Sequence, residues 1–147
     1  MNREKIDRIY ESVRKINHAY EVWAAAHGLT LYEMQIYYVI LSKGEDAITQ
    51  KNLCMELDAP KTSINSIIKK QLRAGYIEMQ TNPQNKREKI ISLTRQGQVF
   101  AESLIQPLFR YEEEAAEMLD DEEMEAAIVA QNRFADLLLG KVEKNYE

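Results

Sequence analysis

Between residues 49 and 94 the spacing of apolar residues changes period, and few folds accommodate the change. Thr49 is a good N-cap, and Leu53, Cys54 and Leu57 after it give a short helix of about two turns. Asp58 and Ala59 make a tight connection. Pro60 then suits the first turn of a new helix, where its missing N–H leaves no bond unmade, and Ile64, Ile67, Ile68 and Leu72 mark that helix's buried stripe. Gly75 ends it. From Tyr76 to Thr81 the pattern is extended, the turn-forming run Asn82-Pro83-Gln84-Asn85 follows, and Glu88 to Leu93 is extended again. A short helix, a brief turn and a second helix with a polar outer face are a helix-turn-helix. The hairpin behind it packs beside the helices through Ile77, Met79, Ile90 and Leu93 and carries Lys86 and Arg87 at its tip. Together they predict a winged helix.

Long helices flank this core. Ile6, Ile9, Val13, Ile16, Tyr20 and Trp23 follow an a/d spacing, which predicts a first helix that packs along another helix and stops near Gly28. Thr30 with Glu33 forms a capping box that opens a second helix, whose apolar positions are Met34, Tyr37, Tyr38 and Leu41. Lys43 and Gly44 close it, and Ala47 and Ile48 lead on to Thr49. Thr94 caps a long fifth helix through Phe100, Leu104, Leu108, Tyr111 and Ala115, with a bend expected at Pro107. Asp120 with Glu123 starts a sixth, carrying Met124, Ile128, Phe134, Leu138 and Val142. The fold class is mainly α with a small β-wing. Pattern alone does not separate an intrachain core from a seam with a second copy, because both use the same residues.

A net charge of −5 argues against a nucleic-acid binder, but its distribution does not. Residues 58–97 hold eight basic side chains against three acidic ones, and residues 111–147 hold twelve acidic against three basic. One segment of the chain is therefore suited to phosphate and another is not. At 147 residues the chain buries about two-thirds of its unfolded surface and needs neither disulfide nor metal to fold. The single cysteine, Cys54, reads as a small buried hydrophobe. His18, His27 and Cys54 lack the clustered spacing of a zinc site, neither histidine accompanies a nucleophile motif, and a Gly-rich phosphate loop is missing. Neither cofactor, metal nor catalysis is indicated. Residues 1–14 lack the continuous apolar stretch of a signal peptide or membrane span, so no membrane partner is expected and the expected compartment is the cytoplasm.

The run from Gln50 to Thr94 resembles the DNA-binding core of the MarR (multiple antibiotic resistance regulator) family, and the order of flanking helices extends the resemblance over nearly the whole chain. Its wing motif typically reads Asp-x-Arg before a strand ending in Leu-Thr; here it reads Asn85-Lys86-Arg87 and Leu93-Thr94. Pro60 to Asn65, ahead of Gly75-Tyr76-Ile77, is similar to the family's recognition helix and its exit. Gly97, Phe100-Ala101-Glu102 and Pro107-Leu108 are similar to its fifth helix. The chain departs from the pattern at Asn85, which turns an expected ion pair with Arg87 into a neutral hydrogen bond. It departs again at Gln71, where a buried leucine is common, and at Met79 and Gln80, where arginine is frequent.

The resemblance implies one domain over residues 1–147, with a winged helix lobe at 30–94 and dimerisation helices at 1–28 and 95–147. On its polar composition alone, the face formed by Lys61, Thr62, Ser63, Asn65, Ser66 and Lys69 reads first as a solvated helix surface, and the basic wing behind it reverses that preference. With the wing, Asn65 and Ser63 are expected to read bases in the major groove while Lys61 and Lys69 hold phosphate. Arg87 is suited to a narrow minor groove, with Lys86 and Lys89 on flanking phosphates. Selective binding calls for two half-sites, hence a homodimer on an inverted-repeat operator in double-stranded DNA. A small aromatic or phenolic effector is expected in a cleft lined by Tyr20, Trp23, His27, Tyr37, Tyr38 and Tyr111, and a repressor it relieves is the leading reading. The alternative is a protein-interaction module built on a winged helix without DNA binding.

Overall fold

The computed structural model describes residues 1–45 and 47–146. Its elements are α1 (Asn2–Ala26), α2 (Leu31–Ser42), β1 (Ala47–Thr49), α3 (Gln50–Leu57), α4 (Lys61–Ala74), β2 (Ile77–Asn82), β3 (Asn85–Leu93), α5 (Arg95–Glu117) and α6 (Asp121–Glu143). They divide into two compact units, Met1–Leu108 and Phe109–Glu147. The division falls inside α5 just after Pro107, which cannot supply the amide that would bond the carbonyl of Ser103.

Local chemistry sets the helix ends. The hydroxyl oxygens of Thr30 and Thr49 and the carboxylate of Asp120 accept from the N3 amides of α2, α3 and α6, and Glu33 and Glu123 complete capping boxes. Pro60 occupies the cap position itself, one residue earlier than expected, so α4 opens without a side-chain cap. Three helices end in paired main-chain bonds around a left-handed residue. At α1, Gly28 N–H bonds Ala25 and Leu29 N–H bonds Ala24; at α4, Gly75 and Tyr76 do the same toward Leu72 and Gln71. At α3 the left-handed position is held by Asp58, at φ 46°, a conformation more natural to glycine or asparagine.

The sheet has three antiparallel strands in the order β1-β3-β2. Ala47 and Ile48, expected only to lead on to Thr49, both belong to β1, with Ile48 opposite Ile91. Three residues with one apolar side chain inside carry too little periodicity to announce a strand. On β3 the core residue is Ile91, fully buried, with Leu93 on the same face. Ile90, expected in the core, lies on the opposite face because successive side chains alternate. The core of the first unit gathers Met34, Ile36 and Ile40 of α2, Leu53 of α3, Ile64 and Ile68 of α4, Ile91, and Leu104 and Ile105 of α5, all at most 1% exposed.

Candidate nucleic-acid interface

The α4 stripe faces inward through Ile64, Ile68 and Gln71, which leaves Lys61, Thr62, Ser63, Ser66 and Lys69 on the outer surface. Asn65 sits at the edge of that surface, half-buried, and its Oδ1 accepts a hydrogen bond from Gln50 Nε2 at the start of α3. This contact was not anticipated; it fixes which way the Asn65 amide faces. Ser66 donates its hydroxyl to the carbonyl of Thr62, 3.2 Å away. Lys70 leaves the basic face altogether. Its Nζ lies 2.6 Å from Glu33 Oε1, while Glu33 Oε2 accepts from Thr30 N–H at 3.0 Å. Burial pushes the Glu33 carboxyl up, but the bond to Lys70, the Thr30 amide and the Lys70 charge together outweigh it, and its pKa lies below the usual value.

The wing differs from expectation at its tip. Pro83 and Gln84 make the turn, and Lys86 and Arg87 follow on β3. The pairing jumps from Thr81–Lys89 to Asn82–Asn85, so residues 86–88 form an irregularity in the strand. Two asparagines brace it. Asn82 Oδ1 accepts from Gln84 N–H at 3.0 Å and Asn82 Nδ2 donates to Glu88 Oε2 at 2.9 Å, while Asn85 Oδ1 accepts from the main-chain N–H of Arg87 at 3.2 Å. Asn85 thus steadies the backbone under Arg87 rather than its guanidinium. Lys89 Nζ donates to Thr81 Oγ1 at 3.1 Å.

A groove of about 660 Å³ lies between α3, the start of α4 and β3, lined by Gln50, Lys51, Cys54, Met55, Lys61, Asn85, Arg87, Glu88 and Lys89. Four cations and one carboxylate therefore meet at a surface that also exposes 67% of Met55. Lys51 is absent from the sequence-based set because the turn between α3 and α4 alone does not show that Lys51 and Lys61 face one groove. Cys54, expected to be buried, is half-buried in the same groove, since a helix of eight residues has too few turns to hide both Leu53 and its neighbour.

Five of the six aromatic residues expected in an effector cleft lie in the first unit. Tyr20 and Tyr38 meet edge to face, with ring centroids 6.2 Å apart. Trp23 Nε1 donates to the carbonyl of Leu104 at 3.0 Å, and His27 Nδ1 donates to the carbonyl of Trp23 at 2.8 Å. Tyr37 is core rather than cleft: it is 0% exposed, its hydroxyl donates to Gln71 Oε1, and burial, with Tyr76 and Glu33 adding to the effect, raises its phenol above the usual tyrosine range. Tyr111 belongs to the second unit and lies beside Arg110. Among the described residues no group of three or more His, Cys, Asp or Glu is placed to hold a metal ion, and no helix is long and apolar enough to cross a membrane.

Residues 29–97 match the family described as winged helix DNA-binding domain. The HTH-type transcriptional regulator YwoH of Bacillus subtilis (strain 168) is 25% identical over 126 residues, which cover 86% of this chain and 90% of that protein. Among solved structures, NMB1585, a MarR family regulator from Neisseria meningitidis, superposes with a TM-score of 0.81 at 19% identity, covering 96% of this chain and 98% of that one. AbsC, a MarR family transcriptional regulator from Streptomyces coelicolor, gives 0.74 at 17% identity, covering 93% and 94%. The chain therefore carries a winged helix DNA-binding domain over residues 29–97 and shares the fold of these MarR family regulators.

Proposed function

We propose that this chain is a sequence-specific regulator of transcription that binds double-stranded DNA as a homodimer, represses from an inverted-repeat operator and is released by a small-molecule effector. One observation carries the reading: in a chain of net charge −5, the polar face of α4 opens beside a groove where Lys51, Lys61, Arg87 and Lys89 meet. Thr62, Ser63 and Ser66 are short enough for close approach to base edges, and Asn65, its amide fixed by Gln50, is suited to adenine. Lys61, Lys69, Lys86 and Lys89 hold phosphates, and Arg87 enters the minor groove. The first turn of α4, without a side-chain cap, adds unpaired amides that favour an anion.

A second copy is supported by what the lone chain leaves exposed. Val13 and Ile16 of the α1 stripe are 40% and 53% exposed, and α6 buries no residue although it carries Leu137, Leu138 and Leu139. A single recognition helix makes too small a contact for selective binding, and two half-sites about one DNA turn apart remedy this. For the effector, Tyr20 with Tyr38 and Trp23 with His27 offer amphipathic rings.

Selection of bound duplexes from a random pool tests the reading. Enrichment of an inverted repeat is expected, with Asn65→Ala relaxing base preference and Arg87→Ala weakening binding and reducing the salt slope by roughly one unit. A single subunit in solution, indifferent to duplexes at low ionic strength, refutes it. A dimer that ignores DNA favours the protein-interaction module instead. Thermal shifts against aromatic acids, with no stabilisation and no change in DNA release, remove that effector class.

A further inference from the structure

We infer that Gln71, on the inner side of the recognition helix, is a positioning residue that sets the rotation and register of α4 through its bond to Tyr37; the DNA consequence rests on the regulator reading above. Most of the inner side of α4 is apolar, and apolar contacts are non-directional: Ile64 and Ile68 stay buried through small turns or slides of the helix. Gln71 and Glu33 are the buried polar or charged side chains among the described residues, and Gln71 is the one on α4.

Its bond is directional and its partner is immobilised. Tyr37 of α2 is fully buried and meets Phe100 of α5 edge to face at 5.2 Å. Phe100 stacks on Tyr76 at 4.3 Å with the rings 5° from parallel, and the Tyr76 N–H returns to the Gln71 carbonyl at 3.2 Å. The circuit Tyr37, Gln71, Tyr76, Phe100 therefore closes on itself across α2, the end of α4 and α5. Asn65, six residues earlier and about 9 Å along the axis, is held by Gln50. Two polar pins, one in each half of α4, define its rotation in a way that a leucine at position 71 does not.

The test uses Tyr37→Phe/Gln71→Met, which replaces both partners by apolar groups of similar shape and so leaves no orphaned hydroxyl or amide. Tyr37→Phe alone is the second variant. Denaturant midpoints establish folding, hydrogen exchange in the DNA-free protein reports the hold on α4, and affinities for the selected operator and for random duplex report reading. The expected result is a double variant near wild-type stability whose α4 amides exchange faster than those of α2. Its preference for operator over random DNA falls about tenfold, the scale of one misplaced base contact, with an unchanged salt slope. A double variant with wild-type α4 protection and wild-type discrimination overturns the inference. A wild-type protein that binds no duplex refutes the regulator reading, and the exchange measurement still decides whether Gln71 holds α4.

Discussion

Gly97 lies where α5 starts against the exit of α4, and Gly97→Ala is expected to destabilise the first unit despite alanine's higher helix propensity. A Cβ built at Gly97 falls 1.7 Å from the carbonyl oxygen of Tyr76, 2.6 Å from its carbon and 3.0 Å from its Cα. All three are main-chain atoms, so no side chain can swing away. The carbonyl is also tied, accepting Thr94 N–H at 3.0 Å, while Thr94 Oγ1 donates to Gly75 at 2.6 Å and accepts from Gly97 N–H at 3.0 Å. Relief of the clash requires a shift of about 1.7 Å or more to reach ordinary contact, enough to break the first two of those bonds. At about 1 kcal/mol per hydrogen bond and about 1–3 kcal/mol for overpacking, less about 1 kcal/mol gained in helix propensity, the loss is about 2–4 kcal/mol. Gly140→Ala in α6 is the control, since nothing lies within 4 Å of its added Cβ and propensity alone applies. Urea unfolding followed by circular dichroism should show a lower midpoint for Gly97→Ala and a gain in helix signal for Gly140→Ala. Equal or higher stability for Gly97→Ala would falsify the packing argument.

Three further outcomes follow from the same contacts. Because burial raises the Tyr37 phenol, its contribution to stability is present below the ordinary tyrosine pKa of roughly 10 and is lost as pH rises beyond it; Tyr37→Phe should unfold less steeply in alkali, and equal slopes would argue against the buried phenol. Glu33 is shifted the other way, so its contribution is present above about pH 4.5 and is lost as pH falls through its depressed folded value. Glu33→Gln, which keeps the capping box, should lose about 1 kcal/mol or less at neutral pH, because Lys70 is largely solvated, and should flatten the acid limb of a stability–pH curve. At Asp58, φ 46° penalises β-branching: Asp58→Val should be about 1–2 kcal/mol less stable than Asp58→Gly by denaturant midpoint, and identical midpoints would contradict the left-handed cap.

The helices, their caps and the order of the wing were legible because each depends on residues three or four positions apart. Thr30 with Glu33, Asp120 with Glu123 and Gly28 all act within one turn of their own helix. The basic face of α4 was legible for the same reason: Ile64 and Ile68 point one way and Lys61, Thr62, Ser66 and Lys69 another. Contacts between elements were not legible. Gln71 reads as a departure from a leucine position until Tyr37, 34 residues earlier, proves to be its partner, and Lys70 is one of the eight basic side chains of residues 58–97 until Glu33 claims it.

The sequence by itself determined the succession of helices, the hairpin, and which central segment is basic, since propensity, capping and periodicity are local properties of a chain. Only the tertiary structure decided that Tyr37 is core, that Ile48 pairs with Ile91, that Asn85 supports the backbone of Arg87, and that Lys51 joins Lys61 and Arg87 at one groove. Hydrogen bonds and charges act across space, and residues distant along the chain become neighbours only when the apolar faces have chosen how to pack.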